Sequence, residues 1–263
     1  MSLELDPETA LAMLSWQIDL GATEAIGDMP VNRYEVVAEA PKPKAKPVVE
    51  VQPAPVADPE NNTQAVEMAK QMAAAAPDLI GLNSALAAYE FCELKKGARN
   101  LVFADGNPAA RVMIIGEAPG RDEDMEGRPF VGRAGQLLDK MLEAIGLSRT
   151  AQDAQSAVSI VNVLPWRPPQ NREPTPEEME MLLPFLLRHI ELAAPEILIP
   201  MGNTACQALL GQRGILRLRG NWADAAGLPA LPMTHPAYLL RTPAAKREAW
   251  LDLQEIRARL KGN

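Results

Sequence analysis

Residues 112–138 read VMIIGEAPGRDEDMEGRPFVGRAGQLL. The run Val112-Met113-Ile114-Ile115 suits a strand buried on both faces. Glycine then stands at 116, 120, 127, 132 and 135, with proline at 119 and 129. Glycine and proline at this density mark a chain that turns tightly and lies close to something. One aromatic, Phe130, sits among them, and the acids Asp122, Glu123, Asp124 and Glu126 crowd the first half. An amphipathic helix is predicted from Gly132 to Ile145. A strand, a constrained loop and a helix in that order shape the wall of a cavity beyond the carboxyl end of the strand.

The same alternation recurs downstream. Apolar runs occur at Arg111–Ile115, Val158–Leu164, Glu196–Pro200 and Pro229–Met233. Helical stretches lie between or after them, at Gly132–Ile145, Thr175–Leu192, Thr204–Leu210 and Ala244–Leu260. Thr175-Pro176-Glu177-Glu178 is a helix start, with a capping hydroxyl, proline in the first turn and acids near the positive end of the dipole. Strand–helix alternation implies an α/β fold with a mostly parallel, four-stranded sheet covered on both faces.

Upstream, Leu3 to Ile26 has helical spacing and is stopped by Gly27-Asp28-Met29-Pro30. From about residue 38 the chain becomes rich in Pro, Ala and Val, which reads as an extended linker. Short helices are predicted at Glu67–Ala76 and Leu79–Lys96. The expected organisation is a helical segment over 1–37, a linker over 38–65 and a catalytic domain over 66–263.

Composition narrows the function classes. The chain of 263 residues is long enough to bury a substantial core. No apolar run approaches the roughly 20 residues of a membrane span, and no signal segment is evident at the N-terminus. Cys92 and Cys206 cannot form a disulfide framework, and a cytoplasmic location is expected. The net charge of −8 disfavours nucleic acid on average. Between Ala205 and Arg247, however, Arg213, Arg217, Arg219, Arg241, Lys246 and Arg247 face one acid, Asp224. That local excess is compatible with phosphate contacts, or with solvated helix and loop ends.

Each predicted strand runs into a loop with chemistry. The first meets Gly116-Glu117-Ala118-Pro119-Gly120; the second carries Asn162 and leads to Trp166-Arg167-Pro168-Pro169. The third ends in Met201-Gly202-Asn203 and the fourth in Thr234-His235-Pro236. His189, mid-helix among leucines, reads as a core residue. The glycine-rich loop lacks the Gly-Lys-Ser/Thr of a P-loop and the Gly-x-Gly-x-x-Gly of a dinucleotide site.

These motifs resemble those of family 4 uracil-DNA glycosylases. Gly116-Glu117-Ala118-Pro119-Gly120 with the Gly-x-Pro-Phe-Val-Gly-x-Ala-Gly run resembles the first motif. Asn162-Val163, Arg167-Pro168-Pro169 and Asn171-Arg172 resemble the second, and His235 through Arg241 the third. The resemblance covers roughly Tyr89 to the C-terminus. It implies a three-layer α/β/α sandwich and a monofunctional DNA glycosylase that hydrolyses the N-glycosidic bond of flipped-out uracil and initiates base excision repair. The substrate would be uracil-containing DNA, single- or double-stranded, taken by a nucleoid-associated monomer, with a repair partner on the N-terminal segment. A non-catalytic uracil- or abasic-DNA-binding protein, or a glycosylase for another deaminated base such as hypoxanthine, are the alternatives.

On this reading Gly116, Phe130 and Asn162 bind uracil. Phe130 offers a flat face worth about 1–3 kcal/mol of stacking. The Asn162 carboxamide matches uracil N3–H and O4 but not cytosine. Neutral His235 donates to O2 of the departing base, and Glu117 orients the attacking water. Other branches of the superfamily carry an aspartate one position later, where Ala118 stands, and Asp122 and Glu123 are local competitors for Glu117. Tyr238, Leu239, Leu240 and Arg241 would enter the minor groove, where one leucine fills the vacated space. The family typically holds a 4Fe–4S cluster on four cysteines. Here three of those positions are Tyr89, Trp166 and Leu182, with Cys92 the fourth, so no cofactor is expected and apolar packing should replace the cluster as a staple.

Overall fold

A computed structural model describes residues 59–262. The predicted N-terminal helix and most of the predicted linker lie outside the described residues. The chain order is α1 (Pro59–Ala75), α2 (Leu79–Ala88), α3 (Leu94–Gly97), β1 (Asp105–Gly106), β2 (Val112–Gly116), α4 (Arg121–Glu126) and α5 (Arg133–Glu143). It continues with β3 (Val158–Asn162), α6 (Pro176–Ala193), β4 (Ile197–Pro200), α7 (Asn203–Leu210) and α8 (Ile215–Leu218). The last elements are β5 (Ala223–Ala225), β6 (Leu228–Ala230), α9 (Pro236–Arg241) and α10 (Lys246–Gly262).

Among the described residues the sheet has six strands in the order β1-β3-β2-β4-β6-β5. The four expected strands form its parallel centre, β3-β2-β4-β6. The four-stranded expectation is corrected by two antiparallel edge strands, β1 on β3 and β5 on β6. Both edges are short and carry Asp105 or Asp224, so no apolar run announces them. Short, charged strands are how sheets blunt their edges. The β5–β6 hairpin turns at Ala226 (φ 52°) and Gly227 (φ 76°), the paired positive φ of a tight hairpin turn.

Alternation along each central strand feeds two cores. Val112 and Ile114 of β2, with Val158 and Ile160 of β3, pack with Leu138 and Leu142 of α5 and Leu253 and Ile256 of α10. Met113 and Ile115, with Val161 of β3 and Leu198 of β4, pack on the other face with Leu82 of α2 and Leu182 and Phe185 of α6. Helices therefore cover the sheet on both sides, and every residue of β2 and β3 is buried.

Two helix boundaries differ from expectation. Helix α1 begins at Pro59, inside the predicted linker, because Ala65, Ala69 and Ala73 recur every fourth residue as a buried stripe. Polar Asn61 and Asn62 hide that start in the sequence. The single helix predicted over Leu79–Lys96 breaks after Ala88. Tyr89 turns extended (φ −71°, ψ 120°), becomes fully buried, and donates its hydroxyl to the Ala65 carbonyl at 2.8 Å.

Candidate active site

The carboxyl ends of the parallel strands open on one cavity of about 560 Å³. Glu117, Phe130, Asn162, His235, Tyr238 and Arg241 all line it, although they come from four separate stretches of chain. Gly116 lies behind this wall. A Cβ there would stand 2.3 Å from Asn162 Oδ1 and 2.5 Å from Phe130 Cε2, so only glycine lets both side chains converge on the end of β2. Phe130 has a left-handed φ of 54°, and its ring stacks against His235 with centroids 5.3 Å apart and an interplanar angle of 29°.

His235 is set by the start of α9. Pro236 takes the first helical position, and His235 Nδ1 accepts the backbone N–H of Ala237 at 3.2 Å. An accepting Nδ1 leaves the proton of the neutral imidazole on Nε2. Burial in the cavity wall, helped by the charge of Arg241, pushes the imidazole pKa down from 6.5 to about 4. The ring is thus neutral near pH 7 and carries one fixed donor.

Glu117 is steered by groups outside its own loop. Its backbone carbonyl accepts from Leu164 N at 3.0 Å, and its Oε2 accepts the Thr204 hydroxyl at 2.6 Å. Thr204 is 4% exposed at the start of α7. No motif in the sequence marks Thr204. Glu123 stands above as a competitor for the role of Glu117. Glu123 instead accepts from the backbone N–H groups of Gly120, Val131 and Gly132 at 3.0, 3.1 and 3.0 Å.

The predicted DNA-contacting stretch divides. Tyr238 and Arg241 line the cavity, and Leu240 is 36% exposed. Leu239 is corrected from that list: it is 1% exposed and packs into the core beside α5 and α10. On a helix, neighbours in sequence point about 100° apart, which lets Leu239 face the core while Leu240 faces solvent. The basic stretch also divides. Arg213 pairs with Glu173 at 3.1 Å, and Arg219 pairs with the buried Asp252. Arg217, Arg241, Lys246 and Arg247 have no salt-bridge partner among the described residues.

His189 packs against the Phe103 ring at 4.8 Å, and burial pushes its pKa down to about 4. The positions of the family's cluster ligands meet in the same core. Tyr89, Cys92, Trp166 and Leu182 are all buried there, with Tyr89 edge-on to Phe185 at 5.3 Å. One thiol, its pKa pushed up to about 11 by burial, beside a phenol, an indole and a leucine does not supply the four thiolates of an iron–sulfur cluster. Among the described residues no group of three or more His, Cys, Asp or Glu could hold a metal ion.

Comparison with known proteins adds the lineage. Residues 103–254 match the uracil DNA glycosylase superfamily. The chain is 41% identical over 153 residues to the type-4 uracil-DNA glycosylase of Thermotoga maritima, covering 57% of this chain and 77% of the relative. It is 39% identical over 176 residues to the type-4 enzyme of Archaeoglobus fulgidus, covering 63% and 84%. Similarity extends to the type-5 uracil-DNA glycosylase of Pyrobaculum aerophilum, at 31% over 146 residues, covering 51% and 64%.

Proposed function

The chain belongs to the uracil-DNA glycosylase superfamily, and on that premise we propose that it hydrolyses the N-glycosidic bond of uracil flipped out of DNA, leaving an abasic site. The observation that carries this reading is the convergence of Asn162, Phe130 and a neutral His235 on one cavity. In this reading uracil stacks on Phe130 and pairs N3–H and O4 with the Asn162 carboxamide. Cytosine would oppose donor to donor and acceptor to acceptor, at about 1–3 kcal/mol for each unsatisfied group.

Bond cleavage leaves the base as an anion and the sugar as a cation. The Nε2–H of His235, fixed by the Ala237 bond to Nδ1, would meet the charge developing on uracil O2. A preorganised donor in such a place contributes about 3–4 kcal/mol. Thr204 occupies Glu117 Oε2, which leaves Oε1 to accept from a water and aim it at the sugar carbon. The carboxylate also offsets the positive sugar. Leu240 is the leucine that would enter the minor groove, and Arg241 would meet the phosphates beside it.

The enzyme would work without an iron–sulfur cluster, held instead by the packing of Tyr89, Trp166 and Leu182. Among the described residues no helix is long and apolar enough to cross a membrane. A cytoplasmic monomer acting on the nucleoid, with a repair partner on the N-terminal segment, completes the proposal.

The test is incubation with a labelled uracil-containing oligonucleotide followed by alkali. Strand scission at uracil supports the enzyme; a band shift without scission would assign a binder, and scission at hypoxanthine alone would reassign the base. Iron and sulfide analysis of anaerobically purified protein tests the cofactor: stoichiometric iron would overturn the cluster-free reading.

A further inference from the structure

Phe130 holds a left-handed φ of 54°, a region that an aromatic residue occupies only when its surroundings over-determine it. The cause lies outside the glycine-rich loop. Arg149, between α5 and β3, reaches under the loop with a side chain that is 9% exposed. Its Nη1 donates to the Pro129 carbonyl at 2.9 Å and its Nη2 to the Phe130 carbonyl at 2.9 Å. The guanidinium is itself oriented by Asp139 of α5, at 2.7 Å through Nε, and by Asp105 of β1, at 3.0 Å through Nη1.

The peptide unit after Phe130 is gripped at both ends by opposite charges. Arg149 takes its carbonyl oxygen, while Glu123 Oε1 accepts its N–H, that of Val131, at 3.1 Å. The peptide unit before Phe130 is held through the Pro129 carbonyl. With both flanking planes fixed, φ and ψ of Phe130 have no freedom left. Gly135 completes the seat, since a Cβ there would stand 1.7 Å from the Phe130 carbonyl oxygen. The product is a ring held at the cavity wall, against His235.

We propose that Arg149 is a positioning residue for base recognition: it clamps both peptide planes flanking Phe130 and so holds the ring where a flipped base stacks. The inference rests on the functional reading above. A residue that only stabilised the fold would weaken every ligand alike. Arg149 should affect the base and leave contacts to the DNA backbone alone.

The experiment compares two oligonucleotides bound by the full chain. One carries 2′-fluoro-2′-deoxyuridine, whose electron-withdrawing fluorine blocks cleavage; the other carries a tetrahydrofuran abasic analogue. The dissociation constant for the tetrahydrofuran oligonucleotide divided by that for the fluorouridine one isolates the contribution of the base. Arg149→Gln should reduce that ratio by about 5-fold or more, the lower end of base–aromatic stacking, with tetrahydrofuran binding changed less than about 2-fold. In a Phe130→Ala background the same substitution should change the ratio by less than about 2-fold, because its route of action is gone. Arg149→Lys, with one charged donor and no fork, should fall between. If Arg149→Gln does not fold, Asp139→Asn removes one orienting carboxylate from a half-exposed position and should shift the ratio in the same direction. An unchanged ratio, equal losses on both oligonucleotides, or equal effects with and without Phe130 would overturn the proposal. A wild-type chain that prefers the uracil analogue but never cleaves natural uracil DNA would sink the enzymatic reading and leave this one standing.

Discussion

Gly116 pairs in register with Asn162 across the β2–β3 ladder, and its missing Cβ is the space into which the Asn162 carboxamide folds. The Phe130 ring uses the same gap. One methyl group would therefore displace at once both side chains proposed to recognise the base. Gly116→Ala should lower kcat/KM on uracil DNA by roughly 100-fold or more, as the stacking and pairing contributions fall together. Overpacking should also destabilise the fold by about 1–3 kcal/mol. Single-turnover rates and a denaturant titration measure the two effects; wild-type kinetics would refute the steric argument.

The Thr204 hydroxyl and Glu117 Oε2 lie 2.6 Å apart, a hydrogen bond to a charged group. Such bonds contribute about 1.5–3 kcal/mol. Thr204→Val keeps the volume and removes the donor, so kcat should fall roughly 10-fold or more with KM little changed. Thr204→Ser should restore most of the rate. A loss confined to KM would assign Thr204 to binding rather than to water orientation.

His235 predicts a pH profile. With its pKa pushed down to about 4, the donor stays neutral across the neutral range. The rate of the chemical step should be insensitive to His235 ionisation from pH 8 to near 5 and fall as pH approaches 4. His235→Ala should slow that step about 100- to 1000-fold while binding of a non-cleavable uracil analogue changes little. A rate that instead rose on acidification through pH 6 would require a protonated imidazole and would sink the neutral-donor role.

The same burial links protonation to stability. His189 titrates near 6.5 when unfolded and near 4 when folded. Between those values the unfolded chain binds the extra proton, so stability is complete above about 6.5 and declines as pH falls toward 4. Chemical denaturation at pH 7.5 and pH 4.5 should show the native state weaker at the lower pH. Equal stabilities at the two values would count against it.

The two leucines of α9 separate cleanly. Leu239→Ala empties a core position and should cost about 2–5 kcal/mol of stability. Leu240→Ala should leave stability within about 0.5 kcal/mol and slow excision from duplex more than from single-stranded DNA, since only a duplex needs the vacated space filled. Melting curves and paired rate measurements decide which leucine acts.

Much of this was legible in the chain. Four buried apolar runs alternating with amphipathic helices specify a covered parallel sheet, because a strand buried on both faces has no polar positions to alternate. The glycines, Phe130, Asn162 and the His235-Pro236 start of α9 announced the cavity through local chemistry. The edge strands β1 and β5, the start of α1 and the break at Tyr89 did not, since each depends on a partner distant in sequence. The same holds for the atoms that set the site. Thr204 reaches Glu117 across 87 positions, and Arg149 grips the Phe130 peptide across 19. Residue types and spacing determine which surfaces are buried and which loops meet. Orientation, tautomer and the identity of the exposed leucine were decided only by the packed structure, because hydrogen bonds and burial between remote segments leave no periodic trace in the sequence.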